Sequence, residues 1–421
     1  MEKTATREDH PRFTRELIVQ SWRRDRSLAL LLHCGSVLAG VVFTLLGRIL
    51  PTLSARWHLD DAQAGWLFIA QFTGVMMGSA LSGLMIQRFG VFRLIAGGYA
   101  VTAAGVACLG VSSWGIGLLS VFSSGFALGL TGPTVNLLVA EINSDRSAVA
   151  LNILNLAWAL GAVVGPPMIA LLATDGNLVP PLVGLAALLS IIALLMVRRS
   201  LSDSSSGPNR LGPNKRDAAR LALHACASPY ALLTGALIFI YVGTETAASG
   251  WIVSYAQRLH ASPSGLETMT ASFFWTGLLV GRGAASGILR RVSEAALVLI
   301  SLFVAGAGLL LILAGGSLIT VSFGASLAGL GLAPVFPTTF AIFTQRLGTQ
   351  ASQLSGFFFV VAGLGGAFIP WLVGFTSARL GDLRLALLIP SFCVASMIIL
   401  QIAVIRALAP RPCNIANIER L

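Results

Sequence analysis

Apolar residues run through the chain in twelve long stretches separated by short polar breaks. They cover roughly 28–51, 62–86, 92–112, 116–140, 147–173, 178–197, 229–256, 265–289, 294–314, 317–344, 350–378 and 383–406. A helix that crosses a bilayer needs about 20 predominantly apolar residues, and each stretch meets that length. The stretches are continuous rather than alternating, which argues against an outer-membrane barrel. The pattern therefore predicts an all-α membrane protein of twelve transmembrane helices. Arg199–Ser228 is the longest polar interior segment, and it contains Ser204-Ser205-Ser206-Gly207-Pro208, a flexible composition with no apolar period. It divides the spans six and six. The expected organisation is a cytoplasmic tail (1–27), a six-helix bundle (28–198), a cytoplasmic linker (199–228), a second six-helix bundle (229–406) and a cytoplasmic tail (407–421).

Composition narrows the function classes. Of 421 residues 55% are apolar and only 11% are charged, against about 25% charged in soluble domains. That excludes a soluble enzyme, a disordered chain and a disulfide scaffold. Met1–Asp25 is too long and too acidic for a signal-peptide start, and no small-residue cleavage site follows the first apolar run, so that run stays a membrane helix. Cys34, Cys108, Cys226, Cys393 and Cys413 are scattered, without metal-ligand spacing, and read as small hydrophobes. The net charge of +11 is resolved by position: 23 of the 28 Lys and Arg residues fall on the two tails and the loops of one face. Arg48, Arg56, Arg258, Arg379 and Arg384 make up the other face. Basic residues collect on the cytoplasmic side, so both termini are expected there. The anionic inner leaflet accounts for the basicity, and no nucleic-acid partner is implied. Gly-rich runs lack the strand and the Lys-Ser/Thr of a phosphate loop. No catalytic constellation, cofactor or metal is expected.

The halves repeat each other. Thr73-Gly74, Gly78 and Arg88 recur about 203 residues later as Thr276-Gly277, Gly281 and Arg291. Pro133-Thr134 recurs as Pro337-Thr338, and Leu160-Gly161 with Pro166 as Leu364-Gly365 with Pro370. Two parallel repeats imply a pseudo-two-fold axis along the membrane normal and a cavity between the halves. Pro133, Pro166, Pro167, Pro334, Pro337 and Pro370 are expected to break or bend helices near it. Six plus six spans, inner termini and a basic central loop resemble the major facilitator superfamily of secondary transporters. Its signature between the second and third spans is matched by Arg88, Gly90 and Arg93 within Gly83–Arg93, with Gln87 in place of the usual Asp. Tyr241-Val242-Gly243-Thr244-Glu245, Gly250-Trp251-Ile252 and Tyr255-Ala256 are similar to the seventh span of the fucose, galactose and glucose proton symporter group. Asn152, Asn155 and Trp158 ahead of Gly161 and Gly165-Pro166 are similar to that group's fifth span. The group's acidic residues in spans 1 and 4 have no counterpart here. Gly161 with Gly165-Pro166 also resembles part of the drug–proton antiporter signature, though Met168 and Ile169 replace its second small pair. The superfamily resemblance implies transport by alternating access.

Charge at membrane depth needs a reason. Glu245 lies well inside the seventh span and reads as a substrate or proton group, or as one end of a structural ion pair. Arg48, in the outer third of the first span, reads as a partner of Glu245 or of a substrate anion, or as a snorkelling surface side chain. Arg88, Arg93, Glu141, Arg146 and Arg282 are read as an inner gate. His33 reads as a packed neutral imidazole. Gln71, Asn136, Asn152 and Asn155 supply the paired donors and acceptors that hydroxyls need. Trp158, Trp251 and Trp275 supply faces for a sugar ring. Either set can instead serve helix packing or the interfacial belt. The reading is a monomeric inner-membrane carrier of a small polar solute, a sugar first, coupled to protons. The alternatives are a proton-driven exporter of amphipathic compounds and a non-transporting sensor on the same fold.

Overall fold

The computed structural model describes residues 25–173, 177–202, 229–259, 266–347 and 351–408. Most of the two tails and of the 199–228 linker, with Asp175 and His260, lies outside the described residues. The spans fold as α1 (Arg26–Trp57), α2 (Asp61–Phe89), α3 (Val91–Leu109), α4 (Trp114–Ile142), α5 (Ser147–Leu172) and α6 (Val179–Ser202). The second set is α7 (Pro229–Leu259), α8 (Thr270–Ile288), α9 (Glu294–Ala314), α10 (Leu318–Leu332), α11 (Val335–Leu347), α12 (Ala351–Leu380), α13 (Leu383–Ala386) and α14 (Leu388–Leu408). No strand occurs among the described residues. The tenth apolar stretch is split into α10 and α11 at Ala333-Pro334, and the twelfth into α13 and α14 at Leu387.

Eleven spans among the described residues are long and apolar enough to cross a membrane. The remaining one is α8, whose 19 residues include Arg282 and many small residues. It also begins later than the sequence pattern suggests, because Leu266–Met269 forms a separate 3₁₀ turn. Pro133, Pro166, Pro167 and Pro370 lie inside continuous helices. The interruption falls at Pro334, which has no N–H to continue the ladder; its carbonyl accepts from Thr338 N–H instead.

Helix starts follow local chemistry. Asp25 caps α1 by accepting from the N–H groups of Ser27 and Leu28. It also pairs with Arg199 near the end of α6, and that guanidinium holds the carboxyl well below its usual range. Asp60 and Gln63 form a reciprocal capping box on α2. Gly90, at φ +80°, makes the tight turn from α2 to α3.

Packing repeats between the halves. In the first, α1 packs on α5, α2 on α4, and α3 on both α4 and α6. In the second, α7 packs on α12, α8 on α10, and α9 on both α10 and α14. The repeated glycines sit where backbones nearly touch. A β-carbon at Gly74 would stand 2.2 Å from Phe122 O on α4, and one at Gly277 2.0 Å from Ser326 O on α10. Gly161 lies equally close to Val37 O on α1, and Gly365 to Phe239 O on α7. Small residues at such contacts let membrane helices pack closely. The halves meet through α1–α7, α2–α12 and α5–α8. Exposed apolar side chains such as Leu119, Leu171, Ile319, Phe392 and Ile399 form the outer surface, as a lipid-facing exterior requires.

Candidate functional site

The end of the bundle where α1 begins is called here the amino-terminal face. The opposite face carries the start of α2 and the ends of α7 and α12. Between the halves, about 10–20 Å below the opposite face at 1.5 Å rise per residue, α1, α2, α7 and α8 line a narrow chamber with about 20 Å³ of space open to water. Its apolar wall is Phe43, Phe68, Phe72 and Trp275, and its polar wall is Thr44, Gln71, Glu245, Thr246 and Ser249. A mostly apolar lining with a few placed polar groups is the kind that small-solute sites carry. Glycines make the helix approach possible: a β-carbon at Gly47 would stand 2.8 Å from Ser249 O, and Gly250 lies under the Phe68 ring.

Glu245 does not stand alone. Four residues earlier on the same face of α7, the buried Tyr241 donates its hydroxyl proton to Glu245 Oε2. Arg282 on α8 lies close enough for its charge to act on both Tyr241 and the carboxylate. The sequence reading paired Glu245 with Arg48 and put Arg282 at an inner gate. The structure sets Arg282 near Tyr241, six residues before the end of α8. Arg48 is 6% exposed, and its Nε has no hydrogen-bond partner.

Three of the sequence-selected residues, Gln71, Glu245 and Trp275, line the chamber. Gln71 Nε2 donates to Phe43 O at 3.1 Å, which leaves Oε1 as an acceptor. Trp158 stands one layer behind, edge-on to both Phe43 and Trp275. Trp251 is buried; its indole N–H donates to Pro370 O at 2.9 Å and its ring packs on Phe68, so it holds α7 to α12. Asn136, Asn152 and Asn155 are exposed and lie nearer the amino-terminal face. Arg88, Arg93, Glu141 and Arg146 all sit at helix ends on that face. Arg88 rests on the Phe89 ring at 5.5 Å, and Arg93 Nε donates to Ser200 Oγ at 3.3 Å.

The opposite face carries a seal that the sequence reading missed. Arg258, at the end of α7, donates to both carboxylate oxygens of Asp61 at the start of α2, at 2.8 and 2.5 Å. Ser377, near the end of α12, donates to Asp61 Oδ2 at 2.5 Å. Bidentate Arg–carboxylate pairs are among the stronger hydrogen-bonded contacts. Beneath them Trp66 meets Trp371 edge-on, with ring centroids 6.1 Å apart. The available signal was weak: Asp61 follows an N-cap and looks like an ordinary first-turn acid, while Arg258 counts only as a flanking charge.

The sequence profile of the Major Facilitator Superfamily matches residues 32–370. A glucose/galactose transporter of Brucella abortus is 26% identical over 379 residues, covering 85% of this chain and 89% of that protein. Among solved structures, a variant of the E. coli fucose:proton symporter FucP superposes with a TM-score of 0.60 at 19% identity, covering 90% of this chain and 98% of that one. The nucleoside transporter NupG, in mutant form, superposes with a TM-score of 0.74 at 14% identity, covering 90% and 99%.

Proposed function

The chain belongs to the major facilitator superfamily, and from that premise we propose that it carries a sugar across the inner membrane by alternating access, coupled to protons. It is an integral membrane transporter whose substrate is a small molecule. The sugar reading is supported by relatives named for glucose and galactose, and for glucose and mannose, transport. The observation that carries it is the chamber itself, which lies between pseudo-symmetric halves with an aromatic wall beside amides, hydroxyls and one carboxylate. Aromatic rings cover the C–H face of a pyranose while polar groups read its edges.

With both termini in the cytoplasm, the Asp61–Arg258–Ser377 seal closes the external side and this state faces inward. Asn136, Asn152 and Asn155 then line the route from the chamber to the cytoplasm. In the outward state the seal opens, and Arg88, Arg93, Glu141 and Arg146 gather to close the inner side. Glu245 carries the proton, with Tyr241 and Arg282 setting how firmly the carboxyl holds it.

Uptake of labelled glucose and galactose into proteoliposomes tests this directly. An inward proton gradient should drive accumulation above the external level, and an uncoupler should collapse it. Equal uptake with and without the gradient would make the carrier a facilitator. No flux of either sugar would remove the sugar reading.

A further inference from the structure

We propose that the chamber selects its polyhydroxyl substrate by charge: it takes sugars that are neutral or carry an amine, and it excludes those that carry a carboxylate. This rests on the sugar reading above and adds what kind of sugar the site can hold. The warrant is the hydrogen-bond state of the polar wall. Thr44 donates its hydroxyl proton to Gly40 O at 3.0 Å, Thr246 to Val242 O at 2.7 Å and Ser249 to Glu245 O at 2.8 Å. Gln71 spends one N–H on Phe43 O. Each of these side chains therefore presents lone pairs to the chamber: three hydroxyl oxygens, the Gln71 carbonyl and the Glu245 carboxylate. The donors left are the second N–H of Gln71 and the Trp275 indole.

A wall rich in acceptors binds a ligand rich in donors. Sugar hydroxyls can donate to it, and an ammonium can donate three times. The charge arrangement points the same way. Glu245 is the acidic residue on the chamber wall, and Arg282, whose charge acts on it, is not part of that wall. A ligand carboxylate would sit beside Glu245, stripped of water and without a cation on the wall, which is the costly like-charge arrangement. An ammonium would meet Glu245 directly and would lie against the aromatic faces of Phe43, Phe68, Phe72 and Trp275.

The test is binding of a matched series to the purified protein near neutral pH, by calorimetry: glucose, glucosamine, glucuronate and the methyl ester of glucuronic acid, with the galactose series in parallel. Glucosamine should bind at least as tightly as glucose. Glucuronate should bind at least about tenfold more weakly. The neutral ester should recover most of that loss in the wild-type protein, which separates charge from size without any mutation. In Glu245→Gln the gap between glucuronate and glucose should shrink to within about threefold. Glucuronate bound as tightly as glucose by the wild type overturns the inference, and so does an ester as weak as the acid. Failure of every sugar to bind overturns the sugar reading, and the inference falls with it.

Discussion

Glu245 and Arg48 are both charged, both within spans and both selected from the sequence, yet their surroundings differ. Glu245 receives a hydrogen bond from Tyr241 and faces the charge of Arg282. Its neutral amide analogue keeps the size and most of the hydrogen bonding but cannot titrate. Glu245→Gln should therefore abolish uphill accumulation in proteoliposomes while sugar counterflow persists; unchanged accumulation would end its coupling role. Arg48 is buried with its Nε unpaired. Leaving a buried donor unmet costs about 1–3 kcal/mol. Replacing such a group with an apolar side chain of similar length is often stabilising. Arg48→Met should raise the thermal midpoint of the purified protein by a few degrees, and a fall of similar size would mean that the guanidinium stabilises this state.

At the level of elements, the α2–α4 and α8–α10 contacts are set by backbone proximity rather than by side-chain fit. A β-carbon at Gly277 would meet Ser326 O at 2.0 Å, so one helix would have to move. Overpacking of this kind costs about 1–3 kcal/mol or more. Gly277→Val should lower the thermal midpoint by several degrees. Gly283 on the same helix faces open space, and Gly283→Ala should leave the midpoint unchanged or raise it slightly, because alanine favours the helix. Equal effects of the two substitutions would show that the close approach at Gly277 is not what holds α8 to α10.

For the whole molecule, the consequence is a balance between two states. The Asp61–Arg258 pair is partly open to solvent, with Arg258 49% and Asp61 13% exposed. Exposed pairs are worth about 0.2–1 kcal/mol, which corresponds to a population change of up to about fivefold. Asp61→Asn should increase the population open at the opposite face by that factor. Spin labels at Ala55 and Arg379, on the ends of α1 and α12, would report it as a longer distance in pulsed measurements. An unchanged distribution would remove the seal from the mechanism. The orientation has its own test: a reporter fused after Leu421 should be cytoplasmic, and one inserted near Asp175 or His260 external. A cytoplasmic signal at His260 would contradict the positive-inside argument.

Much of this protein could be read from the chain by itself. The long apolar helices and the internal repeat follow from residue type and spacing, because a bilayer demands long apolar helices and close packing demands small residues at regular positions. Most of the spans in the structure lie within a few residues of the apolar runs that define them, and the eighth, tenth and twelfth departed where a 3₁₀ turn, Pro334 and the break at Leu387 intervened. Glu245 was legible too, since a lone carboxylate in an apolar run stands out. Its partners were not. Tyr241 and Arg282 stand on different helices, and hydropathy does not fix which faces of α7 and α8 meet. The seal joins Asp61, Arg258 and Ser377, which are 197 and 316 residues from Asp61 in sequence. Nothing local distinguishes those three residues. Spacing along one helix fixes which side chains share a face, but which faces meet across the two halves is decided only by packing, and the chamber exists only there.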